Sequence, residues 1–504
     1  MRFSESPIWT DSRAYYRTTG TAAWTTDGLP TRICNNAALA EAYASVIHHF
    51  LEETAAGAAR AYVVELGAAT GRFAHLVLAS LEALRGALGG AAPAPRYVLT
   101  DIAEATVAGW REHPRLRARA RAGELDRACF DVLDDRPLTL LDGGEALARE
   151  TTAAPVVVIA NYVLDSLPCD VFRVRDGRLE EGRPVLEGPL APSAGQQLAP
   201  VRFAYAPAAS PAYDDARLAA LCETYAAAFA GEATAFTVPV GAARCLQRLR
   251  ALTAGPLLVL AADKGYVDEA ELAPIQVPSV IQQRSAISMT VNFDALCKLV
   301  TAEGGHARHT TGRTASLQVA MLSMHVAREP ARAAAAFHEG IERRGPIDAF
   351  PALDAAAQGE LTVELALAVL RAAGADPDVF ALLVPRLRPL LGDADPAQRR
   401  CLTGLLRRVV ALSFPQPGEP DVAFEAGVCL ATIGQPREAL AALEVSLADH
   451  GPSPHACFAM AMSHLMLGAP ATALGLLDQV LALDPAHAGA AEWRPRVAAE
   501  LAGA

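Results

Sequence analysis

The amino-acid sequence predicts an α/β domain built on a parallel sheet, followed by an all-α domain of repeats. Three observations lead there. Short apolar runs alternate with helical patterns through the first two thirds of the chain, as strands and covering helices do in a parallel sheet. From about residue 328 the strand patterns vanish and helical periodicity takes over. In the last stretch, small and apolar residues recur at a fixed spacing.

Composition frames these readings. A length of 504 residues corresponds to about three domains of ordinary size. Hydrophobic residues reach 52 %, a figure raised by alanine, yet no run approaches the ~18 to 20 apolar residues of a membrane helix. "MRFSESPIWTDSRAYY" has no basic stretch followed by an apolar core, so no secretory signal is expected and the chain is placed in the cytoplasm. Nine scattered cysteines without a C-x-x-C predict reduced thiols, with neither a disulfide framework nor a zinc ribbon. A net charge of −12 disfavours a broad nucleic-acid-binding surface. No metal site is expected, since His306 and His309 in "GGHARH" have no acidic or cysteine cluster near them in sequence and read as a loop.

The first element, "VVELGAATGRFAHLVL" over residues 63–78, reads as a strand, a glycine-bearing turn and the start of a helix. Such a turn aims amide N–H groups outward at the positive end of a helix dipole. Glu65 at the strand end would repel phosphate and attract a ribose hydroxyl or an ammonium group. S-adenosylmethionine carries an adenosine, an ammonium and a sulfonium, and it fits; an ordinary tight turn remains the alternative. Next comes the strand "RYVLT" ending in Asp101, where a Rossmann-like site reaches the ribose. "RACFDVLDD" places Asp131 at a third strand end, within reach of an adenine amine. "APVVVIANYVLDSLPCDVF" supplies a buried fourth strand running into Asn161 and Asp165. Four polar strand ends in succession make one ligand crevice at the carboxyl edge of the sheet. Asp263, Lys264 and Tyr266 follow a fifth apolar run and are further pocket candidates. Lys264 reads either as a solvated loop lysine or as a selector for an anionic group.

The blocks "VVELGAATG", "ANYVLDSLPCDVFRVRDGRLEE", "FTVPVGAARCLQRL", "ADKGY" and "SMTVNFDALCKLVTAEGG" leading into "SLQVAML" carry a resemblance. Over roughly residues 12 to 325 the chain resembles the MidA-type class I S-adenosylmethionine-dependent methyltransferases, the family of the mitochondrial complex I assembly factor that methylates a protein arginine. The resemblance implies a Rossmann-like seven-stranded sheet over residues 1–327 with a helical insertion near 186–232. It implies that Glu65, Gly67, Ala69 and Gly71 line the amino-acid end of the cofactor, with Asp101 at the ribose and Asp131 at the adenine. Asn161 would then touch the cofactor near the methyl-transfer centre, with Asp165 the preferred carboxylate to orient or accept the acceptor's proton. Asp165 can instead cap the turn before Pro168. Two departures stand out. Ala69 replaces the usual middle glycine, and Tyr162 replaces a glutamate that suits a guanidinium. Tyr162, Asp263 and Tyr266 are the substrate-pocket candidates. Thr25, Thr26, Thr31, Asn35 and Asn36 read as a polar lid, as caps for the helix beginning near Ala37, or as both.

The C-terminal third justifies its own class. Phe424 and Phe458, Gly434 and Gly468, Pro436 and Pro470, Ala439 and Ala473, Leu443 and Leu477 are each 34 residues apart, the tetratricopeptide period. Two clear units over residues 421–504 fall short of the roughly three a stable stack needs, so the helices of 328–420 are expected to complete it as degenerate units, and Trp493 to lie in a capping helix. Three functions compete on these grounds: a protein or peptide methyltransferase whose repeats hold the substrate, a small-molecule methyltransferase, and a non-catalytic cofactor-binding assembly scaffold.

Overall fold

The computed structural model describes residues 1–25, 33–55, 57–186, 201–283, 286–311, 317–345 and 349–503. They divide into two compact units, Met1–Asn35 with Ala42–Gly345, and Asn36–Glu41 with Pro346–Ala504.

In chain order the first unit carries the helices α1 (Pro7–Thr19) and α2 (Ala37–Thr54, whose residues up to Glu41 are assigned to the second unit), then β1 (Tyr62–Glu65), α3 (Arg72–Leu88), β2 (Arg96–Asp101), β3 (Leu125–Cys129) and β4 (Val156–Asn161). There follow β5 (Asp170–Arg175), β6 (Arg178–Leu186), β7 (Val201–Pro207), α4 (Ala216–Ala228), β8 (Thr234–Val238) and β9 (Leu257–Asp263). The hairpin β10 (Val280–Gln283) and β11 (Ala286–Met289) and the pair β12 (His306–His309) and β13 (Gln318–Met324) complete the strands used below.

Seven strands form one sheet in the order β12-β13-β9-β4-β1-β2-β3. The five from β9 to β3 are parallel, and β13 and β12 are added antiparallel. Apolar runs put the middle of this sheet where both faces are covered: every residue of β1 and β9 is buried, and so are Val156 to Ala160 of β4. The chain moves outward from β1 through β2 to β3 and then returns to the other side of β1 with β4. That reversal opens a crevice between the carboxyl ends of β1 and β4. His306 and His309, read as loop residues, lie instead in the edge strand β12. Among the described residues no cluster of three or more His, Cys, Asp or Glu is placed to hold a metal, and no helix is long and apolar enough to cross a membrane.

A second, antiparallel sheet has the order β8-β5-β6-β7. It corrects the expected helical insertion near 186–232. Residues 187–200 lie outside the described residues, but "VRFAYAP" alternates in exposure and pairs with β6 as strand β7, and only α4 is helical. Phe172, Phe236, Tyr225 and Phe229 fill the core between this sheet and α4. The first unit also runs past residue 327 to Gly345, because the amide of Arg332, at the start of helix Ala331–Phe337, donates to Glu53 of α2 at 3.0 Å.

The second unit is helical. Its last part is two successive hairpins, Val422–Thr432 with Pro436–His450 and Pro454–Met466 with Pro470–Leu483, followed by Ala488–Gly503, which contains Trp493. The recurring residues occupy matching places. Gly434 and Gly468 take positive φ, 78° and 71°, at the turn between paired helices, and Pro436 and Pro470 open the second helix of each pair. Ala439, Leu443, Ala473 and Leu477 are fully buried, as are Cys429 and Cys457. Among the described residues, the α-helices Ala349–Gln358, Val363–Ala372, Pro377–Leu387 and Pro396–Leu412 precede them.

Candidate functional site

The crevice at the β1/β4 reversal is a single cavity of about 1180 Å³, its open mouth included. Of the residues singled out in the sequence, it brings together Glu65, Gly67, Ala69, Asp101, Asp131, Asn161 and Tyr162 on its wall. Gly71, Asp165, Asp263 and Tyr266 do not reach it.

Two main-chain bonds shape the turn after β1: the Ala68 amide donates to Thr100 (2.9 Å) and the Gly71 amide to Ala68 (2.8 Å). Gly67 has φ +61° and lines the cavity. Gly71, at φ +81°, is needed for packing: a Cβ there would stand 2.7 Å from a methyl of Leu116. Ala69 takes the same left-handed region at φ 49°, and its carbonyl is held by the indole N–H of Trp110 at 2.9 Å. An alanine in place of glycine therefore keeps the turn, at a cost of roughly 1–2 kcal/mol.

Glu65 is 5 % exposed and accepts the Tyr97 hydroxyl at 2.8 Å. Burial pushes its carboxyl up to about 8, against the lowering effect of that hydroxyl. Burial likewise raises Asp101 to about 6, opposed by the amides of Ala103, Ala69 and Ile102. Neither carboxylate has a cationic partner among the described residues. Asp131 does. Its Oδ2 receives the guanidinium groups of Arg13 and, at 2.8 Å, Arg17, both on α1, while its Oδ1 accepts the Leu133 amide at 2.9 Å. The adenine role expected of Asp131 thus meets a carboxylate already engaged, and Arg13 joins it on the cavity wall.

At the other edge, the Asn161 amide is tied at both ends. Its Nδ2 donates to the Cys34 carbonyl (3.2 Å) and its Oδ1 accepts the Tyr43 hydroxyl (3.0 Å). Tyr162 takes φ 51°, donates its amide to Ala262 at 2.8 Å, and carries the Lys264 ammonium 5.9 Å from its ring centroid. Lys264 is thus half-buried in a bend beside an aromatic ring. Asp165 lies buried in the turn Leu164–Ser166, behind the wall. Its carboxylate accepts the Ser166 hydroxyl at 2.9 Å, a pattern that differs from capping the turn through main-chain amides. The Asp165 amide donates to Asp263, which is fully buried at the end of β9. Tyr266 packs elsewhere, around a small gap it shares with Phe236 and Met289. Asn36 caps α2 by accepting the Leu39 amide at 2.9 Å, whereas Asn35 lies on the cavity wall. Thr26 and Thr31 fall outside the described residues.

Sequence reasoning missed Arg13, Tyr16, Cys34, Phe130 and Ser166, all on the wall. Arg13 and Arg17 are one helical turn apart, a readable signal for a shared partner, but that partner is more than a hundred residues away.

No family model and no curated protein matches the chain. Among solved structures, the chain is similar to a candidate methyl transferase of the COG1565 superfamily from Burkholderia thailandensis bound to S-adenosyl-homocysteine, at 16 % identity and TM-score 0.41, covering 65 % of this chain and 88 % of that one. A native structure of an uncharacterized protein of that superfamily, from the same organism, gives 15 %, 0.40 and the same coverage. At these scores neither likeness decides the fold, which rests on the strand order and pairing above.

Proposed function

We propose that the chain is an S-adenosylmethionine-dependent methyltransferase acting on a protein or peptide that its C-terminal helical repeats hold. One observation carries the cofactor: the buried Glu65 and the half-buried Asp101, neither with a cationic partner among the described residues, face one cavity beside a glycine-bearing turn at the reversal point of a mostly parallel sheet. Such a site favours a ligand with an ammonium group and vicinal hydroxyls, and it disfavours phosphate. Glu65 would hold the amino end and Asp101 the ribose, with Ile102, Phe130 and Leu133 offering apolar wall for a base. When bound, the cofactor supplies an electrophilic methyl on a sulfonium. The chain's residues have the remaining tasks of binding, aligning the acceptor and excluding water, which can contribute several kcal/mol. Tyr16, Tyr162 and Ser166 share the cavity wall with Asn161, and there the acceptor would enter.

Support for a protein or peptide substrate is the pair of helical hairpins whose residues recur at a spacing of 34, since stacked helix pairs present extended surfaces suited to a partner segment. A second surface that captures the substrate raises its concentration at the cavity. Incubating the full chain with methyl-labelled S-adenosylmethionine and an extract from cells lacking it, then separating protein from small molecules, tests this. Label is expected in protein. Label confined to small molecules would move the proposal to a small-molecule methyltransferase, and no label together with no cofactor binding would overturn it.

A further inference from the structure

Behind the acceptor end of the cavity lies a buried acid pair that the cavity does not touch directly. Asp263 is fully buried; its Oδ1 accepts the Lys264 amide at 3.0 Å and its Oδ2 the Asp165 amide at 3.1 Å. Asp165 is 6 % exposed and its carboxylate receives the hydroxyl of Ser166 at 2.9 Å. Ser166 is the member of this group on the cavity wall, with Tyr16 beside it. The titratable groups that face the pair are Lys264, Tyr16, Tyr43, Tyr162 and Cys34, and Ser288 lies near it on the hairpin strand β11. Two buried carboxylates this close do not both ionise. Burial and the neighbouring Asp165 charge hold Asp263 well above the carboxylate range, so it keeps the proton. Burial raises Asp165 too, against the Ser166 hydroxyl, Lys264 and Ser288; because its Oδ1 accepts the Ser166 hydroxyl, Asp165 is the member taken to receive a proton.

We infer that Ser166 is the residue that meets the methyl acceptor, passing the acceptor's proton to the buried Asp165–Asp263 pair. The inference rests on the methyltransferase reading above. The balance is simple. The acceptor's lone pair forms the new bond to the methyl carbon and the carbon–sulfur bond breaks, its electrons staying on sulfur. The acceptor N–H or O–H proton moves to Ser166 Oγ as the Ser166 proton moves to Asp165. Asp165 is then a positioning and proton-holding residue, and Ser166 the catalytic one. This explains why a carboxylate suited by type to the chemistry lies behind the wall: direct contact is left to a hydroxyl, which is neutral at every working pH.

The test compares the full-length chain with Ser166→Ala, Ser166→Thr, Asp165→Asn and the double Ser166→Ala/Asp165→Asn variant, measuring label transfer from S-adenosylmethionine into the extract described above. Ser166→Ala should lose transfer roughly a hundredfold, on the scale of a lost acid-base group, with cofactor affinity within about twofold. Ser166→Thr should regain most of it, and the double variant should lose no more than the worse single one. A second readout needs neither cofactor nor acceptor: infrared titration of the free protein should show a buried protonated carboxyl band, that of Asp263, that shifts in Ser166→Ala and shifts further in Asp165→Asn. Undiminished transfer by Ser166→Ala, or an unmoved carboxyl band, overturns the relay while the methyltransferase reading stands. No transfer by the unaltered chain overturns that reading, and the relay with it.

Discussion

The turn after β1 and the turn after β4 flank the same cavity and are built on opposite plans. The first is main chain: Gly67, Ala69 and Gly71 hold positive φ, amides and carbonyls close the loop, and one carboxylate, Glu65, stands at the strand end. The second is side chain: Asn161 is tied to Cys34 and Tyr43, Ser166 to Asp165, and Asp165 to Asp263. A backbone cradle suits a ligand that is the same in every turnover. A network of side chains suits proton handling at the acceptor. The two edges therefore should fail differently when altered.

The largest difference should come from Asp165→Asn. It keeps the turn's shape but cannot hold the acceptor's proton, so transfer should drop by about two orders of magnitude while cofactor affinity barely changes. Parallel loss of transfer and of thermal stability would show that the second turn is structural only. Asp101→Ala is the mirror experiment. It should weaken binding of both S-adenosylmethionine and its demethylated product by roughly ten- to a hundredfold, the range for a hydrogen bond to a charged group, without a separate effect on the chemical step. Calorimetry alongside single-turnover rates separates the two.

A pH series sharpens the cofactor edge further. With its carboxyl raised to about 8, Glu65 carries a proton in the free protein at neutral pH. A ligand ammonium favours the ionised form, so binding releases that proton, and affinity should rise as pH increases toward about 8, by at most about tenfold per unit. Binding heats in two buffers of different ionisation enthalpy should differ accordingly; identical heats would place the ammonium elsewhere. The smallest effects belong to the turn itself. Ala69→Gly should raise stability by about 1 kcal/mol, and Gly71→Ala should lower it by about 1–2 kcal/mol, since φ +81° and the Leu116 methyl both oppose a Cβ. Denaturant unfolding measures both.

The same contrast decides what could be read from sequence. The parallel sheet and the polar strand ends were legible because each is local: an apolar run ends in Glu65, Asp101 or Asn161, and topology alone gathers those ends at one edge. Glycine spacing marked the first turn and the hairpins that recur at a spacing of 34 for the same reason. The side-chain partners of the site residues were not legible. Nothing near Asp131 announces Arg13 and Arg17, and nothing near Asp165 announces Ser288 or Asp263, because these partners come from distant segments. Asp165 was read as touching the acceptor since residue type carries no depth; its burial puts Ser166 in front of it. The insertion was misread as helical because "VRFAYAP" shows its strand character chiefly through pairing with β6.

The central claim is that Glu65 and Asp101 make this cavity a seat for S-adenosylmethionine, and isothermal calorimetry on the folded full chain tests it most directly. One site is predicted for S-adenosylmethionine and one for S-adenosyl-homocysteine, both weakened by Asp101→Ala. A folded sample that binds neither, or binding that Asp101→Ala leaves unchanged, contradicts the account.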